Sequence, residues 1–177
     1  MGIEVRSETE FSRIDLARLA RFARAVLSVL GQSRRGLSLL IVDDAAIREL
    51  NRRWRRIDRA TDVLSFPAGD DPSRVLGDVV ISAPRAVAQA RRYGVTTTEE
   101  LRRLLVHGIL HLMGYDHVKA DERREMRALE DKTLRAASRA FRARAGARSR
   151  EAQSASAAES RRARNTVATS RPRRTSI

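Results

Sequence analysis

The chain's only three histidines fall within eleven residues, His107-Gly-Ile-Leu-His111-Leu-Met-Gly114-Tyr-Asp-His117, spaced H-x-x-x-H-x-x-G-x-x-H. No other feature constrains the fold as strongly. Residues four apart project from one side of a helix, about one turn apart, so His107 and His111 share a direction only if this stretch is helical. Gly114 accepts the left-handed conformation that ends a helix, and a turn there brings His117 back toward the other two. Three imidazoles meeting at one point form a metal site with a fourth position open. Structural zinc sites are usually closed by four ligands, whereas catalytic sites keep a place for water.

The rest of the sequence alternates strand and helix patterns. Ile3 to Val5 reads as a short strand, followed by a helical stripe of Leu19, Phe22, Val26 and Leu30 that stops at Gly31. Leu37 to Val42 reads as a buried strand, and Asp43 with Asp44 caps a helix whose Ile47 and Leu50 face inward. Val63 to Phe66, closed by Pro67, and Val75 to Ser82 are further strands, the second rich enough in Val and Ile to be central. Pro84 opens a helix in its first turn. Thr97 and Glu100 form a capping-box pattern for the helix carrying Leu101, Leu104, Leu105 and the first two histidines. The histidines continue the Leu104 face, which puts the site on the floor of a cleft. Asp121 starts a last helix with Met126, Leu129, Thr133, Ala137 and Phe141 at helical spacing, ending near Gly146.

These elements predict an α/β fold: one domain over residues 1–146, with a small mixed sheet of about four strands packed by helices. Residues 147–177 are rich in Ser, Ala and Arg and almost lack large apolar side chains, so the expectation is a disordered basic tail. Net charge is +14, of which +9 comes from Arg139 to Ile177, where eleven arginines face two glutamates. Such a field concentrates polyanions, although arginine outnumbers lysine 34 to 2, a bias that codon usage alone also produces. There is no cysteine, so histidine must carry any soft-metal chemistry and no disulfide exists. The apolar runs are too short to span a membrane and the N-terminus lacks signal-peptide order, which leads to the expectation of a soluble, cytoplasmic protein without a membrane partner.

A divalent ion held by imidazoles acidifies its water toward a pKa of about 7 and makes hydrolysis accessible. Metallopeptidases with this spacing read H-E-x-x-H, the glutamate being the general base, but Gly108 stands in that position here. Peptidase chemistry by that route therefore lacks its base. Asp116 is the nearest other carboxylate, and it suits a supporting or capping role better than catalysis. A second segment, Asn51 to Pro67, sets five arginines around Trp54. Arginines that hold phosphates and an indole that stacks on a base are the ingredients of single-strand binding. A solvated helix end with Trp54 packed in the core fits the same residues, and composition by itself favours that reading. Thr61, Asp62 and Ser65 read equally well as turn and cap residues.

Taken together, three blocks resemble the YbeY family of bacterial rRNA maturation factors. The block His107 to His117 is similar to the family signature, including Gly108, Leu112, Gly114, Tyr115 and Asp116. Asn51 to Pro67 resembles N-x-x-Y-R-x-x-D-x-x-T-D-V-L-S-F-P, and Leu76-Gly77-Asp78-Val79-Val80-Ile81 resembles the following G-D strand. Trp54 stands where the family usually has tyrosine and Ala60 where it often has proline, and the tail has no counterpart. The resemblance implies a metal-dependent endoribonuclease that cuts single-stranded RNA in rRNA maturation at the 16S 3′ end and in ribosome quality control. It further implies one zinc ion on His107, His111 and His117, with other divalent metals such as nickel also suited to three imidazoles. Arg55 matches the family's functional arginine and, with Asp116, is a candidate catalytic residue. Trp54, Arg55, Arg56 and Arg59 are the candidate RNA contacts. The implied partners are ribosomal RNA and the small ribosomal subunit with its assembly factors. The competing class is a ribosome-binding assembly factor whose metal only stabilises the fold.

Overall fold

Ile3–Ser7 alternates half-buried and exposed residues and forms strand β1. It leads to helix α1, Leu16–Val29, which Asp15 caps by accepting a bond from the Arg18 amide and which buries Leu19, Phe22 and Val26. Gly31, at φ 72°, ends it. Strand β2 is Gly36–Val42 and helix α2 is Asp44–Arg55, capped by the Asp43 carboxylate on the Ala46 amide. Val63–Pro67 forms β3 and Val75–Ser82 forms β4. Helices α3, Ala83–Tyr93, α4, Thr97–Leu112, and α5, Ala120–Thr169, follow. This computed structural model describes residues 2–9, 14–69, 75–115 and 120–169.

The four strands make one mixed sheet in the order β1-β2-β4-β3, parallel throughout except for β3, which runs antiparallel to β4. β4 is therefore central and β3 an edge, with Phe66 opposite Asp78 and Pro67 opposite Gly77. Successive strand residues face opposite ways, and the two layers follow from that alternation. Leu64, Val80 and Val42 pack with Ile47 of α2 in one core, which Phe66 borders. Val79 and Ser65, on the other face, lie against Gly108 of α4. α1 packs beside α4 and on β1, and α3 lies against α4. Helices α2 and α4 thus cover opposite faces of the same two strands.

The chain divides into two units, Met1–Arg139 and Ala140–Ile177. Within the first, α5 buries Met126, Thr133 and Ala137 along one face, as its spacing predicts. The first compact unit ends at Arg139, and α5 is continuous from Ala120 through Gly146 to Thr169. Ala, Arg, Glu and Gln are strong helix formers. One interior glycine costs only about 1 kcal/mol against them. Residues 170–177 lie outside the described residues.

Candidate functional site

Helix α4 carries the histidines, and its start differs by one residue from the sequence expectation. Thr96 is the cap: its hydroxyl accepts from the Glu99 amide at 3.2 Å, and the Glu99 carboxylate accepts from the Thr96 amide at 2.8 Å. The capping box is therefore Thr96 and Glu99, not Thr97 and Glu100. The shift of one position puts Glu100 inside, 2% exposed, where an unpaired carboxylate would be costly. Arg103 supplies the pair, with Nη2 donating to Glu100 Oε1 at 2.6 Å and Nε reaching both oxygens at 3.1 Å. The same guanidinium extends to Glu130 Oε1 of α5 at 3.3 Å and to Gln89 Oε1 at 3.4 Å. The Glu100 hydrogen bond, with the negative charges of Glu100, Glu130 and Asp62, outweighs burial and holds its pKa above the ordinary arginine value.

Gly108 explains how closely this helix lies on the sheet. A Cβ there would stand 2.7 Å from Val79 Cγ1 and 3.1 Å from Ser65 Oγ, and that hydroxyl donates to the Gly108 carbonyl at 3.0 Å. The position that bears a glutamate in H-E-x-x-H peptidases has no room for any side chain here.

His107 and His111 face each other across one turn, Nε2 to Nε2 at 3.1 Å, with ring planes at 78°. Two nitrogens bound to one zinc at ~2.0–2.1 Å in tetrahedral geometry stand ~3.3 Å apart, so the observed pair fits a shared ion. A residue that sequence reasoning missed fixes the orientation. Glu130 Oε2 lies 3.1 Å from His107 Nδ1, and the Glu130 side chain is 12% exposed. With the Nδ1 proton donated to that carboxylate, His107 Nε2 presents its lone pair toward His111. This is the carboxylate–histidine arrangement common behind metal ligands. The only sequence signal for Glu130 is its place on the Met126–Thr133 face of α5. Both histidines are half-buried, with His107 23% exposed. His117 and Asp116 lie outside the described residues, and among the described residues no three ligand-type side chains are placed to hold one ion together. Gly114, at φ 87°, makes the turn after α4 as its spacing predicts.

A polar chain runs from the histidines to the start of β3. Gln89, which accepts from Arg103, donates through Nε2 to Asp62 Oδ2 at 3.0 Å, and Asp62 Oδ1 accepts from the Val63 amide at 3.0 Å and the Thr61 hydroxyl at 3.2 Å. Burial alone would raise the Asp62 pKa, but the bonds from Gln89, from backbone amides and from Thr61 together outweigh it and hold the carboxyl below its usual range.

The arginine-rich segment sorts into two groups. Arg48 grips Asp58 with two bonds of 2.7 and 2.9 Å, and Arg52 grips Glu49 at 3.0 and 2.8 Å. Their hydrogen-bonded guanidiniums lower the pKa of both carboxylates. Arg55, Arg56 and Arg59 are exposed and make no ion pair among the described residues. Arg56 is the helix cap, at φ 60° in the left-handed region, and Asn51, buried in α2, donates to the Arg59 carbonyl at 2.8 Å, tying down the loop that follows. Trp54 is 62% exposed, so the core reading of the indole is wrong. It meets Phe66 edge-on at 6.1 Å, with the Arg53 guanidinium 5.5 Å from its ring centre.

These residues and the histidines sit on opposite faces of the sheet, yet at one end of it. Trp54 touches Phe66, while Gly77, across from Pro67, is so close to Phe66 and to Leu112 that a Cβ would lie 2.3 Å from the Phe66 carbonyl and 2.9 Å from Leu112 Cδ2. Gly77 also has φ 144°, open to glycine alone. The C-terminal ends of α2 and α4 therefore flank the same end of edge strand β3.

The family model described as Endoribonuclease YbeY matches residues 4–138. The chain belongs to the YbeY family. Its YbeY relatives include the Endoribonuclease YbeY of Myxococcus xanthus, 53% identical over 126 residues, 68% of this chain but 43% of that protein. The Aquifex aeolicus YbeY is 47% identical over 127 residues, 70% of this chain and 85% of that one. The solution structure of TM1509 from Thermotoga maritima is similar with a TM-score of 0.56 and 26% identity, covering 80% of this chain and 93% of that chain. The YbeY match stops one residue before the compact unit does, so the rest of α5 lies outside it.

Proposed function

We propose that this chain is a metal-dependent, single-strand-specific endoribonuclease that hydrolyses RNA phosphodiesters in maturation of the 16S rRNA 3′ end and in ribosome quality control. The observation that carries the reading is the facing Nε2 pair of His107 and His111 with Glu130 behind His107. His107, His111 and His117 would hold one zinc ion, nickel being the next candidate. When bound, such an ion supplies Lewis acidity toward a phosphate oxygen and a water acidified toward a pKa of about 7. The chain's own groups do the rest. Glu130 keeps the proton on His107 Nδ1, so Nε2 is free to ligate. Arg55, without an ion-pair partner among the described residues, takes the scissile phosphate and the charge developing on it. Trp54 offers an exposed face to a base, and Arg56 and Arg59 meet the flanking phosphates. Because α2 and α4 end together at β3, a strand crossing that end reaches both groups. The part of base that Gly108 cannot play would fall to hydroxide supplied by the ion, to Asp116 or to the RNA 2′-hydroxyl.

The proposed partners are ribosomal RNA and the small ribosomal subunit, and the proposed compartment is the cytoplasm. No described helix is long and apolar enough to cross a membrane. The test is cleavage of single-stranded RNA by nuclease-free protein. The His111→Ala variant is expected to lose bound metal and cleavage together, and cleavage that survives in it overturns the metal mechanism. Wild type that binds small-subunit particles but never cuts RNA would instead be an assembly factor.

A further inference from the structure

Beside His107 lies a cavity of about 320 Å³ lined by residues of α4 and α5. That is the lower end of the range for small-ligand pockets. Its polar wall is His107, Arg103, Arg123, Arg127 and Glu130, and Met126, 3% exposed, lends an apolar surface. Glu130 already faces Arg103 and His107, and Asp131, also lining the cavity, lies 3.9 Å from Arg135. Arg127 is exposed and makes no ion pair among the described residues, and Arg123 stands one turn before it on the same helix.

From this we infer a subsite for an RNA phosphate adjacent to the one that is cut, held by Arg127 and Arg123 with the ribose against Met126. The inference rests on the RNA-cleavage reading and extends it to the α5 side of the histidines. Guanidiniums spaced one turn apart suit phosphate oxygens, and the cavity opens beside a metal-ligating side chain, so a strand whose scissile phosphate lies at the histidines runs straight into it. These arginines would place the strand and take no part in the bond change.

The experiment uses the full chain and a fluorescent 2′-O-methyl RNA of about twelve nucleotides, which binds without being cut. Arg127→Ala is expected to weaken binding about fivefold, the worth of one phosphate contact, and to flatten the slope of log affinity against log salt by about 0.7. With cleavable RNA, KM should rise and kcat stay unchanged, the mark of an interaction made equally in ground and transition states. Arg24→Ala, removing an equal charge from an exposed position of α1, should change neither slope nor KM. If Arg127→Ala behaves as wild type, or Arg24→Ala falls as far, the subsite does not exist. Wild type that neither binds nor cuts RNA would instead sink the underlying reading.

Discussion

Replacing Gly108 with alanine sets two effects of opposite sign against each other. In an exposed helix, glycine to alanine stabilises by about 1 kcal/mol through propensity alone. Here the new methyl would lie 2.7 and 3.2 Å from the two γ-carbons of Val79 and 3.1 Å from Ser65 Oγ. Val79 is fully buried on the central strand, and a β-branched side chain is stiff at χ1, so relief requires the helix to move off the sheet. Overpacking of this kind costs about 1–3 kcal/mol, and such a shift also strains the Ser65 bond to the 108 carbonyl. The overpacking should win, leaving Gly108→Ala less stable by about 1–2 kcal/mol and its melting temperature lower by roughly 3–8 °C. Denaturant and thermal unfolding followed by circular dichroism on metal-free protein measure this. A double-mutant cycle with Val79→Ala locates the cause, because that truncation removes both close methyls and should recover about 1 kcal/mol beyond additivity. A Gly108→Ala protein that melts higher than wild type, or an additive cycle, refutes the close-approach argument.

Three further outcomes follow from the site. Glu130→Gln should weaken zinc binding about 10–100-fold in a chelator competition, as loss of a carboxylate behind a metal-ligating imidazole does; unchanged affinity removes Glu130 from the orienting role. Trp54→Ala should cost about 1–3 kcal/mol of single-strand RNA affinity while hardly changing the melting temperature, since the indole is mostly exposed; a large drop in melting temperature with intact affinity would make it a packing residue. Asp62 has a depressed folded-state pKa, so its contribution to stability is complete above the unfolded value and is lost as pH falls through the folded one. Unfolding titrations should therefore show wild type losing stability below about pH 4 more steeply than Asp62→Asn, and parallel curves would contradict the hydrogen-bonded carboxylate.

Local patterns made most of the fold legible. The stripe Leu19, Phe22, Val26, the strand Val75 to Ser82 and the turn at Gly114 depend on neighbours in sequence, and all three stand as read. Two equivalent threonine–glutamate pairs overlap at the start of α4, and only the pairing of Glu100 with Arg103 inside the protein selects Thr96 and Glu99 as the cap. The pairing of His107 with His111 was readable because it is helical; Glu130 was not, because it reaches His107 from 23 positions away across two helices. The exposure of Trp54 depends on β3 being an edge, a property of strand order that no window of residues contains. Gly108 was read correctly as lacking a base, but its steric reason needed the distance to Val79.

The reach of Glu130 back to His107 also sets an order of events during synthesis. The histidine helix is complete at Leu112, but the carboxylate that orients it and the arginines beside it belong to a helix made afterwards, in a unit closed only at Arg139. At translation rates of about 5–20 residues per second, those residues trail α4 by roughly 1–5 s. A nascent chain that has just finished α4 therefore has its two facing imidazoles without their orienting partner. The proposed ribonuclease, made beside the RNA of its own ribosome, would then lack its orienting carboxylate until nearly the whole domain has been synthesised.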